Sequence, residues 1–161
     1  MSLIEEGRVA PAFTLPDQDG RKHALKSYRG RPVVLYFYPK DDTSGCTKEA
    51  CAFRDLLPEF ESADAAVLGV SPDSVASHRK FADRHGLPFT LLADEPKGEE
   101  APPAVCEKYG VWQRKSMYGR TYMGVVRTTY LIDAAGKVVR RWDKVRVPGH
   151  ADAVLAALRE R

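Results

Sequence analysis

The chain has 161 residues, of which 43% are hydrophobic and 29% are charged. This length and apolar content suit one compact domain over residues 1–161 and exclude a wholly disordered chain. The 25 Lys and Arg residues against 22 Asp and Glu residues leave a net charge of +3 without a basic run, so we expect no nucleic-acid partner. The longest apolar run, Val33 to Tyr38, is far shorter than the ~20 residues of a membrane span, so we expect no membrane segment.

Two features of the sequence predict the cellular setting. Residues 1–8 contain neither the basic nor the apolar region of a secretory signal, so we expect a cytoplasmic protein. The three cysteines, Cys46, Cys51 and Cys106, are too few for a disulfide framework, and a reducing compartment opposes a permanent bridge. Any disulfide of this chain is therefore expected to be transient.

The first 92 residues alternate between patterns typical of strands and patterns typical of helices. Apolar β-branched or aromatic runs predict strands, and apolar residues three and four apart predict helices. In chain order these patterns predict a hairpin over 13–25, a buried strand over 33–38, a helix from Cys46 to Phe60, a strand over 66–70, a helix over 74–85 and a strand over 89–92. Pro58 is expected to kink or interrupt the end of the first helix, and Gly86 to stop the second.

The order of elements changes in the second half of the chain. A proline-rich loop over 95–104 precedes a short helix over 105–109, and a final helix covers 151–158. Residues 125–132 and 137–142 predict two antiparallel strands joined by a turn. The whole order predicts an α/β, thioredoxin-like fold: a mixed central sheet flanked by helices, with an N-terminal hairpin. That fold alone assigns no chemistry.

Cys46 begins the first predicted helix, which places its sulfur near the positive end of the helix dipole. Such a position favours the thiolate, the nucleophilic form of cysteine. The alternative is that Cys46 is only the first apolar residue of the helix stripe. Position alone does not decide between these two interpretations.

Cys51 lies five residues after Cys46 and therefore points about 140° away from it around the helix. In an intact helix the two Cα atoms are roughly 8 to 9 Å apart, beyond the ~7 Å limit for a disulfide. Cys51 also lies off the apolar stripe, so we expect it to be exposed or nearly so. It is either an accidental surface cysteine or a cysteine with a chemical role.

The residues around Cys46 carry a specific resemblance. The pattern Pro39-x-x-x-Thr43-x-x-Cys46 resembles the active-site motif of peroxiredoxins, and the run from Tyr36 to Cys51 is similar to that of the bacterioferritin comigratory protein / peroxiredoxin Q subfamily. The similarity extends from Ala10 to Asp133. It implies a thiol-dependent peroxidase that reduces hydrogen peroxide and organic hydroperoxides.

The resemblance also implies a role for each residue of the motif. Cys46 would be the peroxidatic cysteine, whose sulfenic acid Cys51 would resolve as a disulfide within one chain, and a thioredoxin or similar dithiol would reduce that disulfide. Thr43 would bring its hydroxyl to the thiolate and the peroxide, although it also suits a helix N-cap. Pro39 would shape the turn and shield the sulfur, although it could simply end the strand.

Arg127 interrupts the predicted strand over 125–132. A buried cation without a partner is costly, so either an anion faces Arg127 or the side chain points to solvent from an edge strand. The resemblance supplies the anion as the Cys46 thiolate and the peroxide. Cys106 has no partner motif and is expected to be a packed thiol rather than a second resolving cysteine. The four histidines show no ligand spacing, so we expect no metal and no cofactor.

Some features depart from the family pattern or favour other functions. The loop over 95–104 is longer than usual, and Gln113 stands where glycine is common. The tail after Trp142 lacks the cysteine of dimeric relatives, which favours resolution within one chain and a monomer. A general thiol-disulfide oxidoreductase would use Cys-x-x-Cys spacing, and a non-catalytic binding or holdase module would have lost Cys46, Thr43 or Arg127; the chain matches neither expectation.

Overall fold

A computed structural model describes residues 2–160 of the chain. In chain order its elements are β1 (Thr14–Pro16), β2 (Lys22–Ala24), a 3-10 helix (Leu25–Tyr28), β3 (Val33–Phe37), α1 (Ser44–Ser62), β4 (Ala66–Ser71), α2 (Val75–His85), β5 (Thr90–Ala93), α3 (Ala104–Lys108), β6 (Trp112–Met117), β7 (Arg120–Val125), β8 (Thr128–Ile132), β9 (Val138–Trp142) and α4 (His150–Arg159). Among these residues, no helix combines the length and the apolar character needed to span a membrane.

A five-stranded mixed sheet, in the order β5-β4-β3-β8-β9, forms the centre of the described residues. The strands β3, β4 and β5 pair in parallel, whereas β8 pairs antiparallel with both β3 and β9. Every residue of β3 is buried, as expected for a central strand with an apolar layer on each face. The predicted mixed sheet and its central strand are therefore confirmed, as is the N-terminal β1–β2 hairpin.

Each face of the sheet has its own core, because successive side chains of a strand point to opposite faces. Val34, Tyr36 and Tyr38 pack with residues of α1, α2 and α4. Val33, Leu35 and Phe37 pack with the N-terminal hairpin and α3. Cys46 belongs to the first core and Cys106 to the second, so the sheet separates these two thiols.

The predicted helix over 74–85 is confirmed together with its predicted glycine stop, and the structure adds an N-cap at Ser74. The Ser74 side chain accepts a hydrogen bond from the Ser77 N–H, at 3.1 Å, and so caps the N-terminus of α2. Gly86 ends the helix in the left-handed conformation, with a φ of 59°.

Two details of the predicted elements differ from the structure: the interruption at Pro58 and the continuous strand over 125–132. The helix α1 continues through Pro58 to Ser62, so the proline does not interrupt it. The predicted strand over 125–132 is divided, because Val125 ends β7 and Thr128 begins β8. Arg127 therefore lies in the short connection where the chain passes from the two-stranded β6–β7 sheet into the central sheet.

Candidate active site

Cys46 is the third residue of α1, and its side chain is 1% exposed. The active-site loop, which we define as residues 38–43, connects β3 to this helix. The Cys46 side chain packs in the core that contains Tyr36, Tyr38 and Ala50. The sulfur is thus held at the positive end of a long helix and largely shielded from water; the helix dipole favours a thiolate, whereas burial opposes the charged form.

Arg127 supplies a cation to this sulfur. Its Nη2 donates a hydrogen bond to Cys46 Sγ at 3.3 Å, and its Nη1 donates to Glu49 Oε1 at 2.6 Å. Gly45 leaves room for this approach, since a Cβ atom at position 45 would lie 3.1 Å from Nη2. The guanidinium therefore bridges the cysteine sulfur and a carboxylate, and the predicted solvent-facing alternative for Arg127 is wrong.

Glu49 is the buried carboxylate of the site, one helical turn after Cys46 and 1% exposed. Burial raises the pKa of Glu49 to about 7, although the Arg127 charge acts in the opposite direction. Its Oε2 has no hydrogen-bond partner among residues 2–160. The sequence analysis did not identify this residue. The available signal was its position beside the apolar stripe that contains Cys46 and Ala50, where a buried glutamate is rare.

The charges of the site also act on Arg127 itself. Burial opposes its charged form, but Glu49 and then Cys46 raise the pKa of Arg127 above its ordinary value. The guanidinium thus remains a permanent cation beside the sulfur. Lys115 on β6 lies near enough to Arg127 to feel its charge, because burial and then the Arg127 charge lower the pKa of Lys115. The β6–β7 hairpin, which was not predicted, therefore borders the site.

Thr43 and Pro39 both belong to the active-site loop. The Thr43 backbone carbonyl accepts the first hydrogen bond of α1, from the Thr47 N–H at 2.9 Å, so Thr43 is the N-cap residue. In the part of the chain that the structure describes, its side chain caps no N–H group and instead donates to the Lys40 carbonyl at 2.9 Å. Pro39 lies half-buried in the bend just after Tyr38.

Cys51 lies in the same helix as Cys46, within an unbroken α1. Its side chain is half-buried, so the expected exposure was overstated, while Cys46 is fully enclosed. Because α1 is unbroken, ideal helix geometry places the two Cα atoms roughly 8 to 9 Å apart. A bond between the two sulfurs requires the first turns of α1 to unwind.

Cys106 is a packed thiol at the start of α3. It is buried, and both its own N–H and that of Val105 donate to the Asp94 carboxylate, at 2.7 and 3.1 Å. Burial and then the negative charge of Asp94 raise the pKa of Cys106 well above its ordinary value. The thiol form is favoured there, which agrees with the expected packing role.

A second polar cluster lies next to the active-site loop. Asp41, Asp73 and His78 offer oxygen and nitrogen atoms that all lie within 4.8 Å of one another, a grouping that could hold a cation. These atoms already bond to one another and to neighbours: His78 Nδ1 lies 2.7 Å from Asp41 Oδ2, and the Asp41 N–H donates to Asp73 Oδ2 at 2.8 Å. We describe the cluster as a hydrogen-bond network that holds the loop.

The arrangement around Cys46 defines a class of chemistry. A cysteine at a helix N-terminus beside a permanent cation is a nucleophile, and the same cation can stabilise negative charge on an oxygen that leaves during attack. The described residues thus combine a mixed α/β sheet with a thiol site suited to small electrophiles that carry a leaving oxygen.

Comparison with known proteins agrees with this class. Residues 7–141 match the model of the AhpC/TSA family. Peroxiredoxin Bcp of Bacillus subtilis is 43% identical over 157 residues, which cover 98% of this chain and 96% of the relative. Peroxiredoxin Bcp of Escherichia coli K12 is 43% identical over 160 residues, which cover 99% of each chain.

A solved structure shows the same architecture. The bacterioferritin comigratory protein of Xanthomonas campestris, studied for its alkyl peroxide reduction activity, superposes with a TM-score of 0.86 at 43% identity. The alignment covers 97% of this chain and 98% of that one. The predicted thioredoxin-like fold is confirmed.

The chain belongs to the AhpC/TSA family, and its relatives within that family are the Bcp or peroxiredoxin Q proteins. It is an enzyme, a thiol-dependent peroxidase.

Proposed function

We propose that Cys46 is the peroxidatic cysteine and that Arg127, Thr43 and Pro39 complete the catalytic site. The Cys46 thiolate attacks one oxygen of a hydroperoxide, an S–O bond forms, and the O–O bond breaks. The sulfur is oxidised by two electrons to sulfenic acid, and the other oxygen leaves as water or an alcohol after taking up a proton. Hydrogen peroxide and organic hydroperoxides both meet this requirement.

The observation that carries this proposal is the hydrogen bond between Arg127 Nη2 and Cys46 Sγ, at 3.3 Å. The guanidinium is placed to favour the thiolate before attack and to stabilise the leaving oxygen during it. Thr43 adds a hydroxyl on the exposed side of the loop, where its lone pairs remain open to a peroxide while its proton is bound to Lys40. Pro39 shapes the bend that leads into the loop.

Cys51 resolves the sulfenic acid in this proposal. Its thiol attacks the oxidised sulfur of Cys46, water leaves, and a disulfide forms within one chain. Two thiol-disulfide exchange steps with a thioredoxin-type dithiol then return both thiols and oxidise the dithiol. The sheet between Cys46 and Cys106 supports the choice of Cys51 over Cys106.

The same proposal includes a single catalytic domain that works as a monomer in the cytoplasm. Resolution by Cys51 needs no second chain, because both cysteines belong to α1. A reducing compartment would keep the three cysteines as thiols between turnovers. Size-exclusion chromatography with light scattering checks the monomer, and a dimer in both redox states would contradict it.

One experiment tests the catalytic proposal as a whole. Reduced protein is treated with one equivalent of hydrogen peroxide and mapped by mass spectrometry, with hydrogen exchange measured before and after. We expect a bridge between Cys46 and Cys51 in one chain and lower protection over residues 43–53 in the oxidised form. A bridge between Cys46 and Cys106, or an oxidised α1 that stays fully protected, would contradict the role of Cys51.

A further inference from the structure

The active-site loop is anchored to the rest of the molecule by the buried carboxylate of Asp41. Asp41 Oδ1 accepts a hydrogen bond from the Tyr38 hydroxyl at 2.7 Å, and Oδ2 accepts one from the Ser77 hydroxyl at 2.8 Å. His78 Nδ1 lies 2.7 Å from the same Oδ2. The Asp41 side chain is 3% exposed and that of His78 is 0% exposed. The anchor therefore joins the loop to α2 inside the protein, away from solvent.

The contacts of His78 determine where the protons of this network lie. Its Nε2 lies 3.0 Å from the Leu92 carbonyl oxygen, which can only accept a hydrogen bond. Its Nδ1 faces a carboxylate oxygen, which is also an acceptor. Two acceptors cannot face each other at either contact, so each contact must hold one proton. The complete network therefore needs a proton on Nε2, facing the Leu92 carbonyl, and a second proton between Nδ1 and Asp41 Oδ2.

A second pair on the same helix face repeats this contact at the surface. His85 lies two turns after His78, and its Nε2 is 2.9 Å from Asp42 Oδ1. Asp42 has a φ of 60°, a left-handed conformation that a residue other than glycine rarely adopts without support from its surroundings. The helix α2 thus contacts two successive residues of the loop immediately before Thr43 and α1.

We propose that His78 is a positioning residue for the peroxidase reaction, acting through Asp41. The His78 ring fixes Asp41, Asp41 fixes the active-site loop, and the loop fixes the first turn of α1 that presents Cys46 to Arg127. The pair also sets how readily that turn unwinds for attack by Cys51. This inference rests on the proposed roles of Cys46 and Cys51, which the experiment tests separately.

The main test compares four full-length reduced proteins by stopped-flow oxidation with hydrogen peroxide. His78→Leu keeps an apolar side chain in the space but removes both donors. His78→Asn restores a donor near the position of Nδ1. Leu87→Ala is the control, because Leu87 is buried in the same core just after α2 and its loss lowers stability without removing a donor to Asp41.

We expect His78→Leu to slow Cys46 oxidation roughly tenfold, the size expected when a hydrogen bond to a charged group is lost. His78→Asn should recover most of that loss, and Leu87→Ala should react at the wild-type rate despite a lower melting temperature. A wild-type rate in His78→Leu, or equal slowing in Leu87→Ala, would overturn the proposal. Ser77→Ala removes a single donor from Asp41 and should slow oxidation less, which keeps the test decisive if His78→Leu does not fold.

Two further readouts separate positioning from general stability. Nitrogen-15 NMR of the histidine rings should show a proton on His78 Nε2 and a hydrogen bond at Nδ1 in the wild type, and the absence of either would overturn the network that carries the proposal. Hydrogen exchange at the Thr47 amide, which bonds to the Thr43 carbonyl, should be faster in His78→Leu and unchanged in Leu87→Ala. If Cys46→Ser retains turnover, the proposed catalytic function fails; if only the His78 variants behave as wild type, this inference alone fails.

Discussion

Cys46 and Cys106 offer a comparison within one molecule. Both thiols are buried, at 1% and 0% exposed, and both lie in the first turn of a helix. The charged groups beside the two cysteines have opposite signs. Arg127 donates to the Cys46 sulfur, whereas burial and the Asp94 carboxylate raise the pKa of Cys106 well above its ordinary value.

The comparison shows that two cysteines with the same burial and helix position can have opposite electrostatic surroundings. At Cys46 the N-terminus of a long helix and a guanidinium both favour the thiolate. At Cys106 the N–H groups in the first turn of the short α3 instead donate to the Asp94 carboxylate, whose negative charge disfavours a thiolate. In the proposed mechanism, the local electrostatic field therefore decides which of the two enclosed thiols reacts.

The largest expected effect separates the two cysteines directly. Cys46→Ser should abolish peroxide turnover, because a serine hydroxyl cannot supply a thiolate-like nucleophile at neutral pH. Cys106→Ala should turn over at the wild-type rate, because the Cys106 thiol takes no part in the reaction. Both variants are measured in a coupled assay that follows reductant consumption. Peroxide turnover by Cys46→Ser, or loss of turnover in a folded Cys106→Ala variant, would contradict the different roles assigned to the two cysteines.

Replacement of Cys51 should block recycling while leaving the first reaction intact. Cys51→Ser should consume one equivalent of peroxide and then stop at sulfenic or higher acids, because the resolving thiol is missing. Mass spectrometry of the intact protein after stepwise addition of peroxide measures these products. Continued turnover without an added monothiol would mean that another group resolves Cys46.

Removal of the guanidinium should make the surroundings of Cys46 more like those of Cys106. Arg127→Ala should slow Cys46 oxidation roughly a hundredfold, the loss typical when one donor to a developing oxyanion is removed. Stopped-flow kinetics with hydrogen peroxide measure the rate. Arg114→Ala, at an exposed arginine of β6, is the matched control and should react like the wild type. An unchanged rate in Arg127→Ala would remove the central role assigned to this cation.

The smallest effect concerns Glu49 and the pH dependence of stability. The pKa of Glu49 rises from 4.5 to about 7 on folding, so the folded protein binds this proton more tightly than the unfolded chain. The stability of wild type relative to Glu49→Gln should be highest below pH 4.5 and should decrease as pH rises to about 7. Urea unfolding at both ends of that range measures the difference. A difference in unfolding free energy that does not change with pH would mean that folding does not raise the pKa of Glu49.

Much of this fold follows from patterns within single elements. The apolar run of β3, the helical spacing from Cys46 to Phe60 and the Gly86 stop are local signals, and each predicted its element. The β6–β7 hairpin lacked such a signal, because most of its residues are exposed and its turn uses Tyr118 and Gly119 at positive φ rather than Asn-Gly. Arg127 was therefore assigned to a strand that the structure divides.

The site was predicted where its residues share a short motif and missed where they meet through tertiary packing. Cys46, Thr43 and Pro39 lie within eight residues of one another in the sequence. Glu49 was passed over because an acidic residue in an amphipathic helix usually faces solvent. The Asp41–His78 pair joins residues 37 positions apart, a contact that no local pattern indicates.

One measurement tests the difference between the two buried thiols most directly. Reduced Cys51→Ser protein is treated with one equivalent of hydrogen peroxide in the presence of a sulfenic-acid trap, and both remaining cysteines are then quantified by peptide mass spectrometry. The account predicts the label on Cys46 and an unmodified thiol at Cys106. Label on Cys106, or equal label on both, would contradict the claim that the charge beside each thiol decides its reactivity.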